Sequence, residues 1–229
     1  MRGNLRDAIS LIGSELRMLS AAEGDLVEIT PTSLKIRSVQ GVGVVCDTVP
    51  ASQPTYGIAH VSGGSKPTVG DSALVYAYGS EGLSDDAWSA FTIQGLSGGG
   101  LKKTFGCAWE GDIEADLRLE LAGDTAGIGI GSPVRAFRRA EFALFSADGR
   151  WWLGRSEGSS SGFELLAGPM SSPADSGLVL LYYDRDGNAT TVASEVASVE
   201  MALRGETVKK LWRDRVKIDS LRTRVSLRG

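Results

Sequence analysis

Asn4-Leu5-Arg6-Asp7-Ala8-Ile9-Ser10-Leu11-Ile12-Gly13-Ser14-Glu15-Leu16-Arg17-Met18-Leu19 is the stretch from which the rest of the chain is read. Leu5, Ile9, Ile12, Leu16 and Leu19 recur at intervals of 4, 3, 4 and 3, which places all five on one stripe of a helix. Arg2, Arg6, Asp7, Glu15 and Arg17 fall mostly elsewhere, so the spacing predicts an amphipathic helix packed through that stripe. Gly24-Asp25 supplies the stop, because glycine tolerates the left-handed conformation common after helix ends. No polar residue clearly caps the start, and the helix reads as cut off on its N-terminal side.

Beyond the helix the apolar period switches to two. Residues 26–30 and 34–39 alternate around Pro31-Thr32-Ser33, a hairpin signature, and residues 41–46 form a third, more buried candidate strand. Residues 49–70, rich in Pro, Gly and Ser, read as a long loop. Strands are expected at 74–78 and 88–93, a mobile crossover at 95–100, and a half-buried strand at 107–121. Asp148-Gly149 between apolar runs predicts one hairpin, and Asp186-Gly187-Asn188 another joining 178–183 to 190–192. The last strands are 196–203 and 216–227, with a bulge near Ser220 where the alternation slips. The expected fold class is α+β: one amphipathic helix packed on antiparallel sheets, in one domain over residues 1–229.

Composition agrees with a β-rich globular body. Of 229 residues 42% are hydrophobic and 23% charged, and 30 glycines and 26 serines imply many tight turns. The longest apolar run, residues 178–183, falls far short of the ~18–20 residues of a membrane span. No basic segment followed by an apolar stretch marks a secretory signal. A net charge of −4 argues against nucleic-acid binding by the whole chain. Residues 204–228 nevertheless carry nine basic and three acidic side chains, among them Arg213, Arg215, Lys217, Arg222, Arg224 and Arg228. This segment is either a solvated face or a contact surface for an acidic partner. Cys46 and Cys107 suit two core thiols or one disulfide, which would contribute roughly 4 kcal/mol in the chain-entropy model.

Catalytic motifs are sparse. His60 is the one histidine and lies in the expected loop, which leaves no multi-histidine metal site. Gly158-Ser159-Ser160-Ser161-Gly162 matches the spacing of a nucleophile elbow, but Arg155-Ser156-Glu157 precedes it and no histidine follows. Residues 95–100 have phosphate-loop spacing with Leu101 in the lysine position. Asp184, Asp186 and Asn188 offer oxygen ligands in the manner of a calcium loop, yet the glycine comes early and the distal acidic ligand is missing. A hairpin turn is the plainer reading. Trp151-Trp152 could form a ligand platform, although neighbours on a strand face opposite ways.

Several segments together resemble minor pilins and minor pseudopilins of type IV pili and type II secretion systems. Residues 4–17, followed by Gly24-Asp25 and Thr32-Ser33-Leu34-Lys35-Ile36-Arg37, resemble the region after the membrane helix of those subunits. Residues 199–204 and 221–228 resemble the closing strands of the larger β-rich members. Gly131-Ser132-Pro133-Val134-Arg135, Trp152-Leu153-Gly154-Arg155, Ala167-Gly168-Pro169 and Tyr183-Asp184-Arg185-Asp186-Gly187 lie between them. The leader, cleavage site and apolar membrane helix of that family do not occur in these 229 residues. The resemblance implies that residues 1–22 are the lower part of a pilin helix and 25–229 its β-rich body. It also implies a location outside the cytoplasmic membrane and a Cys46–Cys107 bridge. The membrane would be reached only through a helix preceding residue 1.

The function expected on this resemblance is non-catalytic: a structural subunit joining other minor pilins or pseudopilins at the tip or initiating complex of a filament. It needs no cofactor. The alternative is a binding module, adhesin-like or DNA-binding, using the basic C-terminal strands.

Overall fold

The computed structural model describes residues 2–49, 55–62, 67–79, 86–97, 117–123, 125–158, 162–206 and 218–228. Among these residues, strand content is 59% against 12% helix. The expected α+β, pilin-like arrangement is therefore corrected to a mostly β fold. The physical reason is that, among the described residues, one 15-residue α-helix is set among twelve strands, and segments read as loop or crossover also enter sheets. The chain divides into two compact units, Met1–Ser38 with Arg139–Gly229, and Val39–Arg138.

In the first unit, α1 (Arg2–Leu16) carries Leu5, Ile9, Ile12 and Leu16 of the expected stripe; the helix ends at Leu16, ahead of the expected stop at Gly24-Asp25, and Leu19 lies in the non-helical segment beyond it. Leu5, Ile9, Ile12, Leu16 and Leu19 are all buried, in one cluster with Leu34, Phe142, Leu153, Met201 and Val225. Beyond the helix, Asp25 is buried and its Oδ2 accepts the Ser20 N–H at 2.9 Å, closing the turn. β1 (Leu26–Ile29) pairs with the start of β2 (Ser33–Val49), Ile29 opposite Leu34, as the Pro-Thr-Ser turn requires. The end of β7 (Pro133–Ala147) pairs with β8 (Arg150–Glu157), which pairs with β9 (Glu164–Met170). Asp148 and Gly149 both take positive φ, +52° and +71°, as a tight two-residue hairpin demands. β10 (Leu178–Tyr183), β11 (Ser198–Glu206) and β12 (Ile218–Ser226) form an antiparallel meander.

Two expectations fail within that meander. The partner of β10 is β11, and residues 190–192 contribute no strand; only an isolated bridge joins Tyr183 to Ala189. β12 keeps an unbroken register from Ser226 opposite Ser198 to Ile218 opposite Glu206, so no bulge occurs at Ser220. The slip in alternation arises because Ile218 is exposed and Asp219 buried, an inversion of side-chain type rather than of backbone phase. A half-buried ion pair joins helix to sheet: Arg155 Nε lies 3.2 Å from Glu15 Oε1, and the same guanidinium contacts Glu157 and donates to Ser38 Oγ at 3.0 Å.

In the second unit the pairing closes on itself. The end of β2 pairs with β3 (Thr55–Ser62), then follow β6 (Leu117–Ala122), β5 (Ala87–Ser97), β4 (Ser72–Ala77) and the start of β7. β7 returns to β2, where Val45 N–H donates to Ser132 O at 2.9 Å and Gly131 N–H to Val45 O at 2.8 Å. The result is a six-stranded antiparallel barrel. Its interior is filled by alternate residues of every strand, including Val45, Ile58, Val75, Ile93, Leu121 and Val134. The expected loop at 49–70 thus contains β3, and the expected crossover at 95–100 begins inside β5. Of the expected strand at 107–121, residues 117–121 lie in β6, and residues 107–116 lie outside the described residues.

A polar clamp pins one end of this barrel. Arg138 Nε donates to Asp71 Oδ1 and Nη2 to Oδ2, both at 2.7 Å, and Nη2 also reaches Thr68 Oγ1 at 2.8 Å. Burial alone would raise the Asp71 carboxyl; the guanidinium and the Thr68 N–H and hydroxyl outweigh it and hold the group below the usual carboxylate range.

Candidate functional site

The strongest surface feature is on the outside of the barrel, and β-strand phase explains its position. Ala73 and Val75 point inward, so Leu74 and Tyr76 point outward and Tyr78 continues that phase past the strand end. On β5, Phe91 and Ile93 point inward, which turns Trp88 outward directly opposite Tyr76. The three rings meet on one face. Tyr76 lies 5.4 Å from Tyr78 at an interplanar angle of 80°, and 5.5 Å from Trp88 at 72°. Tyr78 is 46% and Trp88 38% exposed, with Ile130 of the neighbouring turn at 43%.

Backbone and carboxylate contacts hold this face in shape. Tyr76 hydroxyl donates to Asp86 Oδ2 at 3.2 Å, and Asp86 Oδ1 accepts the Gly79 N–H at 2.8 Å. Tyr78 hydroxyl donates to Gly131 O at 3.3 Å, and its backbone N–H to Gly127 O at 2.9 Å. Burial and then the Asp86 charge raise the Tyr76 phenol above its ordinary value. The arrangement is an exposed aromatic corner with a fixed anion at its rim, suited to binding by ring contact and charge.

The residues singled out in the sequence fall elsewhere. Asp184, Asp186 and Asn188 occupy the turn after β10, where Asp184 Oδ1 accepts the Asn188 N–H at 2.8 Å and Oδ2 its side-chain amide at 3.3 Å. Those contacts, the Asn188 backbone N–H foremost, lower the Asp184 carboxyl, and they are the contacts of a turn. Among the described residues no group of three His, Cys, Asp or Glu is placed to hold a metal. Asp184, Asp186 and Arg228 line a cleft of about 520 Å³ with Ser20, Glu195 and Leu227.

The basic C-terminal residues are engaged within the unit. Arg222 Nε donates to Glu200 Oε1 at 2.6 Å. Arg224 donates to Ser198 Oγ at 2.9 Å and lies 4.0 Å over the Tyr183 ring. Arg228 Nη2 is 3.4 Å from Glu23 Oε2. Arg213, Arg215 and Lys217 lie outside the described residues. Cys46 is fully buried and disulfide-bonded, while Cys107 lies outside the described residues. His60 stands in β3 opposite Gly43, not in a loop. In the elbow-like sequence, residues 159–161 lie outside the described residues; the preceding Gly158 donates its N–H to Arg139 O at 2.7 Å. Trp151 and Trp152 are both half-buried in β8, and Trp152 Nε1 donates to Ala147 O at 3.2 Å.

The aromatic corner was not singled out from the sequence, although its signal is there. Tyr76 and Tyr78 stand two apart in a run whose other phase is Ala73 and Val75, and Trp88 opens the next strand. Two aromatics on the solvent phase of one strand are the pattern to look for. No family model, curated protein or solved structure matches the chain.

Proposed function

We propose that this chain is a non-catalytic recognition subunit, adhesin-like in the sense that it works by surface contact, with the aromatic face of the barrel as its contact site. The observation that carries the reading is the exposed Tyr76–Tyr78–Trp88 cluster, built on a closed barrel and fixed by Asp86. Large rigid aromatics lose little conformational entropy on binding and dominate contact energies, and a closed barrel presents them without reorganisation. The basic C-terminal strands support a binding role less well, because their described arginines are committed to Glu200, Ser198, Tyr183 and Glu23. The filament-subunit reading rests on the sequence resemblance alone, and the proposal takes from it the non-catalytic character.

A thermal-shift screen of a fragment library tests the proposal on the whole chain and two variants. Fragments that raise the Tm of the natural chain should lose that effect in Trp88→Ala and keep it in Trp151→Ala. Hits that survive Trp88→Ala and vanish in Trp151→Ala would place recognition away from the barrel.

A further inference from the structure

We infer that the aromatic corner takes a quaternary ammonium group, an inference that rests on the barrel face being a contact site. Three properties of the corner select this chemistry. Tyr78 and Trp88 stand at 80° and 72° to Tyr76 in edge-to-face contacts, so the three rings do not lie in one flat shelf. A sugar ring stacks on a flat face and would find a single ring here; a compact, near-spherical cation can touch two rings at once. The Asp86 carboxylate is bonded to the Tyr76 hydroxyl at 3.2 Å and sets a negative charge at the hydroxyl end of the cluster, which adds to the negative potential of the ring faces. The barrel unit as a whole carries six basic and eleven acidic residues, a net charge of −5 that raises the local concentration of cations.

Among cations, the alkylated ammonium suits the site best. An inorganic ion or a primary ammonium is strongly hydrated and must give up water that the rings cannot replace. A trimethylammonium presents methyl groups to the rings, sheds little hydration, and keeps its full charge. The carrier of the group is a separate matter, since choline, phosphocholine and trimethyllysine share it.

Calorimetric titration of the whole chain with choline and with 3,3-dimethyl-1-butanol, its neutral isostere, separates charge from shape. Choline is expected to bind roughly ten-fold more tightly than the isostere. Asp86→Asn keeps an acceptor for the Gly79 N–H and is expected to cut choline affinity several-fold while leaving the isostere unchanged. Trp88→Ala should abolish both. Phosphocholine should bind more weakly than choline, because its phosphate meets the negative barrel; tighter phosphocholine binding would overturn the electrostatic argument. Equal binding of choline and the isostere overturns the cation assignment and leaves the face as a contact site. Failure of choline where other fragments bind through Trp88 has the same meaning. If no compound binds through Trp88, the inference and the reading beneath it both fall.

Discussion

Replacing Asp71 by asparagine tests whether the clamp between Asp71 and Arg138 holds the barrel. The Asp71 side chain is 5% exposed and that of Arg138 21%, and both carboxylate oxygens are engaged by the guanidinium at 2.7 Å. The substituted amide would keep the shape, lose the charge and leave Arg138 facing a neutral group. Breaking a buried pair by removing one partner costs ~3–5 kcal/mol; because Arg138 still reaches solvent, the cost should be about 2–4 kcal/mol. The pH dependence follows from the lowered Asp71 carboxyl. Its folded value lies below the unfolded ~3.9, so the stabilisation is full above about pH 4 and is lost as pH falls through the folded value. The natural chain and Asp71→Asn should therefore converge in stability at acid pH. Urea unfolding read from a fluorine label on Trp88 reports the barrel separately from the other unit. Pairing the variant with Arg138→Met should recover much of the loss, since removing both partners leaves no unpaired charge. A change under ~0.5 kcal/mol at pH 7, or strictly additive effects in the double variant, would refute the reasoning.

Further outcomes are expected in the other unit. Leu16→Ala, at a fully buried position of the helix stripe, should cost about 2–5 kcal/mol in urea unfolding, while Leu11→Ala, 41% exposed, should change little. Gly177→Ala would drive a Cβ into the carbonyl oxygen of Ser171 and should lower Tm and soluble yield sharply, more than Ala at the open Gly162. Tyr182→Phe removes a hydroxyl that donates to Thr30 O at 2.8 Å and contacts Ser33 O at 3.2 Å, and should cost about 1 kcal/mol. Burial raises the Tyr182 phenol, so its share of stability persists below pH ~10 and fades as pH rises toward the folded value. Ultraviolet titration should accordingly show one fewer tyrosine resisting ionisation in Tyr182→Phe than in the natural chain, where Tyr76 is raised as well.

Local signals proved legible where the chain solves a local problem. The five stripe residues are all buried, four of them on α1 and Leu19 just beyond its end, and the Pro31-Thr32-Ser33 and Asp148-Gly149 turns join the strands that flank them. What failed was non-local. β3 was hidden because its strand, Thr55-Tyr56-Gly57-Ile58-Ala59-His60-Val61-Ser62, sits among Pro, Gly and Ser, and its order depends on β2 and β6 on either side. β10 was matched to the residues after its turn, whereas its partner β11 starts fifteen residues beyond it, past a short 3₁₀ turn. No periodicity states that β7 returns to β2, and that closure makes the barrel and turns Tyr76 and Trp88 outward together. The aromatic corner was missed for a related reason: aromatic residues in alternating strands read as core until the phase of their neighbours is known.

The central claim is that the barrel face of Tyr76, Tyr78 and Trp88 is the contact site, and fluorine NMR of the chain labelled with 5-fluorotryptophan tests it most directly. Five tryptophans give five resonances, assignable by single replacement. The account predicts that choline, or any fragment that binds the chain, shifts the Trp88 resonance saturably and leaves Trp151 and Trp152 in place. A Trp88 resonance that stays fixed while Trp151 or Trp152 moves with bound ligand would contradict it.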